Sequence, residues 1–489
     1  MKKILSIILF TGATFSMLSC KKSFEKINIS PNSAADATTN LLLNGAQVSS
    51  IVFYEGDIVR NAGMWAGSFT GNDRQYLGVW QYVTAAGDFD NTWSVAYRGV
   101  IGETEVIRNQ AALINNKIVA GIAQVMKAQA GGTAADLWGD VPFSEAGDAA
   151  AFPQPKFDPQ ATVYTAVQKL LDDAIVNLKS GVGINPGSKD IFYGGNLTKW
   201  VKAAYTLKAR FYLHTKEYQK AYDNALLGID DPSSDMIAKH GNAYLTDFNL
   251  FYSFLVYDRD TYMSADKALA PRMLDPTDAK YRGDAKTDES ARFWYYYLPG
   301  YNYFNTYECN INGGDWGFFA DNGQPGPDGN GAFGSDESYP ILTYKEARLI
   351  EAEAAIRLGN FTPALTALNT HRSMITSYLP ASYVTFYGAK YDPYTAADFA
   401  AGGLKNPGTL AANDALLKQI IEERFISFIG HFEQFNDIRR TKNAIGLAPN
   451  VTGAQIPQRM LYPQSEANTN PNTPKQVQAD LFKPTPVNL

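Results

Sequence analysis

Apolar residues recur with the period of an α-helix in several long stretches of the chain. The clearest stretch covers 196–232, where one predicted helical face carries Trp200, Ala204, Leu207 and Phe211. A second helix is predicted from about Glu217, with Pro232 closing it. The pattern therefore predicts two consecutive helices joined by a short turn.

The same plan returns at 344–375, where a glycine separates two helical patterns. Phe361 and Ala364 hold the places that Tyr218 and Ala221 hold in the first pair. An aromatic residue followed three positions later by alanine is typical of tetratricopeptide-like hairpins, because alanine lets two helices approach closely. Two such hairpins are predicted.

The rest of the chain alternates between further helices and long loops. Asp158 precedes Pro159, which predicts a capping side chain beside a proline at the first helical position. From about 241 to 338 regular helix gives way to aromatic residues, glycines and asparagines, where short hairpins fit but no large sheet is indicated. We predict a mainly α fold in which tetratricopeptide-like hairpins are the scaffold and long loops interrupt it, and loops of that length on a rigid frame are usually functional. The further helices are predicted at 40–54, 92–111, 115–137, 159–179 and 413–429.

The first residues have the layout of a secretory signal. Lys2 and Lys3 precede an apolar run far shorter than the roughly 20 residues that span a bilayer. Cys20 follows Leu18 and Ser19, which is similar to the lipobox of bacterial lipoproteins, where cleavage frees the cysteine for acylation. The predicted boundaries are a lipoprotein signal peptide at 1–19, a lipidated tether at 20–39 and a single domain at 40–489. No intramolecular disulfide is then predicted, because the second cysteine has no partner.

Composition narrows the class of ligand. The net charge of −6 argues against nucleic acid, which needs a basic surface. Tyrosine and phenylalanine number 29 and 27, against four histidines, which favours stacking surfaces over histidine-based metal chemistry. No zinc-binding, phosphate-binding or nucleophile motif is present, so no catalytic residue and no cofactor is predicted. A pair of carboxylates brought together from distant sequence stays open, since such a pair carries glycoside hydrolysis.

Two clusters mix aromatic and polar residues. The first lies at 64–82 and the second at 292–319. A sugar presents flat C–H faces that pack on aromatic rings, while its hydroxyl edges need amide, carboxylate and guanidinium partners. The alternative is that these rings fill the core under long loops, which is the prediction for Trp93 and Tyr97. The predicted ligand-binding residues are Trp65, Asn72, Asp73, Arg74, Tyr76, Trp80, Tyr82, Trp294, Tyr301, Tyr303 and Trp316.

Five local patterns stand in a fixed order along the chain: TAADLWGDVPFSEA, NLTKWVKAAYTLKARFYLH, YPILTYKEARLIEAEAAIRLG, IIEERFISFIGHFEQFNDIRRT and RMLYPQSEANTNPN. Together they resemble the SusD/RagB family of outer-membrane nutrient-binding lipoproteins of Bacteroidetes, in its divergent second branch. Their order along the chain is what makes the resemblance specific. Charged residues in these patterns have a physical reading as ion pairs between helices and as clamps on loops, and we predict these structural roles for Glu422, Arg424, Asp437, Arg439 and Arg440.

The resemblance implies a single SusD-like domain, in which tetratricopeptide-like helices form one side and a long loop-rich face binds the ligand. It also implies a non-catalytic lipoprotein that binds an oligo- or polysaccharide and delivers it to a SusC-like, TonB-dependent barrel. It implies an outer-membrane location with a lipid anchor, facing the cell surface. Lys21 and Lys22 depart from the acidic residues associated with surface export, so the face of the membrane stays open. Capture of oligopeptides is the alternative within the family, and a surface glycoside hydrolase is a further one. A structural calcium ion at Asp321 and Asp328 also stays open.

Overall fold

Helices account for most of the ordered framework in the computed structural model, which describes residues 39–243, 246–301, 307–311 and 331–489. Residues 1–38, including Cys20, lie outside the described residues, so the signal, the tether and the domain boundaries stay predictions. No helix in the described ranges is long and apolar enough to cross a membrane. The helices are α1 (Thr39–Glu55), α2 (Asp57–Trp65), α3 (Arg74–Trp80), α4 (Asp90–Ser94), α5 (Glu103–Leu113), α6 (Lys117–Trp138), α7 (Gln160–Ser180), α8 (Leu197–His214), α9 (Tyr218–Ala225), α10 (Leu250–Tyr252), α11 (Leu269–Leu274), α12 (Ser290–Tyr296), α13 (Tyr344–Arg357), α14 (Phe361–Met374), α15 (Ala381–Tyr387), α16 (Ala396–Phe399), α17 (Ala412–Ser427), α18 (Phe432–Arg440) and α19 (Gln464–Thr469).

The two predicted hairpins are present as α8 with α9 and α13 with α14. Helix α9 packs against α13, so the hairpins stack, and Ala221, Ala225 and Ala354 are fully buried where they meet. Gly359 turns the second hairpin with a φ of +83°, a left-handed conformation that glycine adopts without strain. The first hairpin is shorter than predicted, because α9 ends at Ala225 rather than near Pro232.

Strands are short and scattered. All pairings among the described residues are two-stranded and antiparallel: β1 (Thr70–Gly71) with β3 (Met263–Ser264), β2 (Met236–Ala238) with β7 (Tyr339–Leu342), β4 (Thr287–Asp288) with β8 (Lys390–Tyr391), and β5 (Tyr297–Tyr301) with β6 (Tyr307–Ile311). The hairpin of β5 and β6 falls inside the stretch where short hairpins were expected. Because each pairing joins only two strands, the mainly α fold class is confirmed.

The start of α7 differs from the sequence prediction. Asp158 does not cap the helix, since its carboxylate accepts hydrogen bonds from the backbone N–H groups of Phe143 and Ser144 at 3.1 and 2.7 Å. Asp140 takes the capping role instead and accepts from the Gln160 N–H at 2.8 Å. The Gly-Asp turn after α6 therefore caps the next helix, and Asp158 fastens the intervening loop.

Charged side chains join the C-terminal helices to the scaffold inside the protein. Arg424 donates to Asp437 at 2.8 and 3.0 Å, and Arg440 donates to Glu353 of α13 at 2.7 and 2.5 Å. These contacts confirm the predicted ion pairs of Arg424, Asp437 and Arg440.

Arg439 makes no ion pair with any described residue and clamps backbone instead, donating to the Asp136 and Gln458 carbonyls at 2.7 and 3.1 Å. Glu422 does not belong to the buried ion pairs, because its nearest partner is Lys418 on the surface at 3.9 Å. Its neighbour Glu423 is the buried acid.

Candidate functional site

The first aromatic-polar cluster lies against a second loop that is distant in sequence. Strand β1 pairs with β3, and the N–H of Asn72 donates to the Tyr262 carbonyl at 2.8 Å. The Ser264 hydroxyl also donates to the Asn72 side-chain oxygen at 3.2 Å. These contacts hold the loop that carries α3 beside residues 258–267.

The polar residues that begin α3 are exposed. Asp73 caps the helix by accepting from the Arg74 N–H at 2.8 Å, and Arg74 has a φ of +46°. The Arg74 guanidinium lies 5.5 Å from the centre of the Tyr262 ring. Asn72, Asp73 and Arg74 therefore face solvent on a fixed turn.

A cleft of about 500 Å³ opens beside this turn. We name it the α3 cleft. On its floor the Tyr76 ring packs on Phe254 with centroids 4.6 Å apart, and Arg60 Nε donates to the Tyr76 hydroxyl at 3.1 Å. Burial raises the pKa of Tyr76, so the hydroxyl keeps its proton and can donate to a ligand. The residues that line the cleft are Asp57, Arg60, Asn61, Gln75, Tyr76, Val79, Asp88, Phe254, Asp258 and Arg259.

Three other aromatic residues of the first cluster have different places. Trp80 is half-buried at the end of α3, with the Lys267 ammonium 5.1 Å from its ring centre. Trp65 is fully buried and donates its indole N–H to the Val79 carbonyl at 2.8 Å. Tyr82 is also buried, and its hydroxyl accepts from the Asn450 N–H at 2.7 Å. Trp65 and Tyr82 are core residues in this structure, so the proposed site does not include them.

The second cluster is described only in part. The Trp294 ring stacks on Tyr387 of α15, with centroids 4.7 Å apart and planes 2° apart. The side chain of Tyr301, together with Tyr303 and Trp316, lies outside the described residues, as do Asp321 and Asp328. The ligand and calcium predictions for these positions stay predictions. Trp93 and Tyr97, expected in the core, stack on each other with centroids 4.1 Å apart, and Trp93 is buried.

A cavity of about 300 Å³ lies next to α12 and was not predicted. Part of its wall is aromatic and comes from Tyr295 and Tyr296. Its polar groups come from Asp235, Lys345 and Tyr378. Burial raises the pKa of Asp235 to about 7, even though the Tyr344 N–H donates to its carboxylate at 2.6 Å. No sequence signal could have found this cavity, because its polar groups come from three segments far apart in the chain.

One buried cluster consists of side-chain types that can bind a metal ion. Asp136, His214 and Glu433 place three ligand atoms within 4.8 Å of one another, the one such group in the part of the chain that the structure describes. His214 Nδ1 lies 2.8 Å from Asp136 and Nε2 lies 2.9 Å from Glu433. Burial lowers the pKa of His214, but the two carboxylates outweigh burial and raise it to about 9. Without a metal both nitrogens therefore carry protons and donate to the carboxylates, so a metal ion that bound here would have to displace a proton from His214.

Comparison with known proteins identifies what the chain is similar to. A SusD-like family model, described as "Starch-binding associating with outer membrane", matches residues 31–463. None of the curated proteins compared matches the chain. Solved structures are similar in fold at low identity. A SusD/RagB family protein from Bacteroides thetaiotaomicron is 20% identical, with 93% of this chain and 99% of that one covered and a TM-score of 0.63.

Two further structures show the same fold. A SusD homolog from Bacteroides fragilis is 17% identical, covers 93% of this chain and 100% of its own, and has a TM-score of 0.65. A chitin-binding SusD homolog from Flavobacterium johnsoniae is 16% identical, covers 88% of this chain and 94% of its own, and has a TM-score of 0.58. At these identities the likeness is one of fold.

Proposed function

The chain belongs to the SusD-like family, and from this premise we propose that it is a non-catalytic lipoprotein that binds an oligo- or polysaccharide at the α3 cleft. The family's description links it to starch binding and to the outer membrane. In our proposal, acylated Cys20 anchors the protein and a SusC-like, TonB-dependent barrel receives the captured glycan. The protein faces the cell surface, where such ligands are met.

The observation that carries the proposal is the mixture of ring faces and hydrogen-bonding groups around the α3 cleft. Tyr76 and Phe254 are 6% and 5% exposed and supply a small apolar area on its floor, while Gln75 and Arg259 supply polar groups on its wall. A sugar ring needs both, since its C–H face packs on an aromatic ring and its hydroxyl groups exchange hydrogen bonds along the edge. A volume of about 500 Å³ is within the usual range for ligand sites.

Residues at the rim extend the proposed site. Trp80 stands beside the cleft with part of its ring exposed, and exposed Asn72, Asp73 and Arg74 offer further hydrogen-bonding groups. We propose that the second cluster, with Trp294, Tyr301, Tyr303 and Trp316, contacts another part of a long glycan. An extended ligand with several contacts is what an oligosaccharide receptor requires.

Calorimetric titration with starch and chitin oligosaccharides, and with a wider glycan panel, tests the proposal. We expect Trp80→Ala to lower affinity about fivefold, because a stacked ring contributes roughly 1 kcal/mol. We expect the double variant Gln75→Ala/Arg259→Ala to lower it at least tenfold, since hydrogen bonds to a charged group contribute about 1.5–3 kcal/mol. Phe152→Ala removes an exposed ring that lines none of the cavities described above and should leave affinity unchanged.

Other outcomes separate the alternatives. Saturable binding of peptides with no binding of any glycan would assign the protein to peptide capture. Release of shorter sugars by the purified protein would make it a hydrolase. Anchoring and delivery are tested in cells, where Cys20→Ser should release the protein from the outer membrane, and where the wild-type protein should co-purify with a barrel transporter.

A further inference from the structure

An exposed apolar surface lies beside the first described helix, and we name it the apolar patch. It consists of Leu113 and Ile114 at the end of α5 and Val182 and Ile184 after α7. Leu113 is 87% exposed, Ile184 75% and Ile114 63%. Single exposed apolar residues are ordinary, but these four lie on two adjoining segments and form a group.

Hydrogen bonds hold the segments of the apolar patch together. Asn116 Nδ2 donates to the Ile184 carbonyl at 3.0 Å, and the Ile118 N–H donates to the Val182 carbonyl at 3.1 Å. Helix α1 joins them through Asn44, whose side-chain amide donates to the Lys189 carbonyl at 2.5 Å. The two segments that carry the exposed apolar side chains are therefore held side by side.

Positive charge accompanies the apolar patch. Lys117, Lys179 and Lys189 are all exposed, and they are the charged residues that the two loops, 113–118 and 179–191, show to solvent. The one acid there, Asp190, is buried and accepts from Gln47 at 2.6 Å and from the Trp200 indole at 2.7 Å. The loops thus expose three positive charges in a chain whose net charge is −6.

We propose that the apolar patch rests on an anionic lipid surface, an inference that depends on the proposed lipid anchor. Apolar side chains flanked by lysines are the combination that inserts at a lipid interface, where each lysine is attracted to anionic headgroups. The patch lies near Thr39, the first described residue. Thr39 of α1 donates to Gln110 of α5 at 3.0 Å, three residues before Leu113.

The length of the tether fits this placement. Cys20 and Thr39 are 19 residues apart in sequence. A fully extended chain of that length reaches at most about 65 Å, so a domain anchored at Cys20 is within reach of the lipid surface. Contact at the apolar patch would give the tethered domain one preferred orientation on the membrane.

Hydrogen exchange on the acylated full-length protein tests the proposal. The protein is reconstituted in vesicles of phosphatidylcholine alone or of phosphatidylcholine and phosphatidylglycerol in equal amounts. We expect amides of 113–118 and 180–191 to exchange at least about fivefold more slowly on the mixed vesicles, since each lysine near an anionic surface contributes about that factor. High salt should remove most of this protection.

Variants identify the side chains responsible. Leu113→Ser/Ile184→Ser and Lys117→Glu/Lys189→Glu should each abolish the protection. Leu226→Ser/Leu227→Ser changes two exposed residues that follow α9 and should retain it. Glycan affinity should be unchanged in all three variants, which shows that they fold.

Two results would overturn the inference. Equal exchange on both vesicles would mean that lipid does not cover the apolar patch, and protection only after a partner barrel is added would make it a protein interface. If the wild-type protein fails to float with vesicles at all, the anchor of the proposed function is wrong. If flotation succeeds but the loops are unprotected, only this inference fails.

Discussion

Two buried histidines differ in charge, one positive and one neutral, because their hydrogen-bond partners differ. His214 lies between two carboxylates, which outweigh burial and raise its pKa to about 9. His431 begins α18, where its Nδ1 accepts from the Glu433 N–H at 3.2 Å and its Nε2 donates to the Ile341 carbonyl at 3.1 Å. Burial and the nearby Arg210 lower the pKa of His431 to about 4. One ring is therefore an imidazolium and the other is a neutral helix cap.

These states predict how stability depends on pH. The pKa of His214 in the folded protein lies above its ordinary 6.5, so its contribution is complete below about pH 6.5 and is lost as pH rises through about 9. The shift corresponds to about 3 kcal/mol. We expect His214→Gln to lower the free energy of unfolding by about 3 kcal/mol at pH 6 and to remove much of the wild-type decline toward pH 9. Denaturant unfolding across pH measures both.

His431 predicts a loss of stability at acid pH, which can be compared with the alkaline loss predicted from His214. The pKa of His431 in the folded protein lies below 6.5, so its contribution is present above about pH 6.5 and is lost as pH falls through about 4. His431→Asn can keep the helix cap without a group that titrates there, and should flatten the acid slope while leaving the alkaline one. An unchanged alkaline slope in His214→Gln would mean that His214 is not charged in the folded protein.

Within helix α6, glycine is needed where another element comes close. A Cβ atom added at Gly132 would lie 2.2 Å from Cζ of the buried Phe211 ring of α8. Gly45 in α1 offers the contrast, since nothing lies within 4 Å of a Cβ added there. Both are helical glycines, so they share the same intrinsic cost of backbone freedom and differ only in packing.

The two positions should respond to alanine with opposite signs. Gly45→Ala should stabilise the protein by about 0.5–1 kcal/mol, the usual gain in an open helix. Gly132→Ala should destabilise it by about 1–3 kcal/mol, because the methyl group forces the buried ring aside. Thermal and denaturant unfolding report both changes. If Gly132→Ala stabilised the protein, the packing between α6 and α8 would adjust to the added methyl group at little cost in free energy.

At the scale of the whole molecule, one buried acid joins the loop-rich middle of the chain to the helical scaffold. Glu423 of α17 accepts from Arg282 at 2.8 Å and from Arg292 at 2.9 Å. It also contacts His371 of α14 at 3.0 Å, and Glu289 pairs with both arginines. The arginines hold the pKa of Glu423 well below its usual range, against burial, which alone would raise it.

Neutralising this acid should loosen the connection. We expect Glu423→Gln to lower the free energy of unfolding by about 3–5 kcal/mol, because it leaves two buried arginines short of a counter-charge. Glu422→Gln is the matched control, since its partner Lys418 is 3.9 Å away and exposed, and it should change stability by less than about 0.5 kcal/mol. Denaturant unfolding distinguishes them. Equal effects would mean that the loops are held by other contacts.

The helical scaffold was predictable because its signals are local. Apolar residues repeating every three to four positions set the helices, and an alanine three residues after an aromatic residue identified the hairpins at Ala221 and Ala364. Asp158 shows the limit of such signals. Its place beside Pro159 favours a cap, but Asp140 across the turn reaches the same helix end and takes that role.

For the candidate site, the sequence determined the chemistry and the tertiary structure decided which side chains a ligand can reach. The mixture of aromatic and polar residues at 64–82 is visible in the chain, yet Trp65 and Tyr82 enter the core while Tyr76 forms the floor of a cleft. The other wall, with Asp258 and Arg259, comes from a segment almost two hundred positions away. Periodicity along the chain reports which face of an element is apolar, but contacts between distant segments depend on how the elements pack, and these contacts determine which aromatic rings remain exposed.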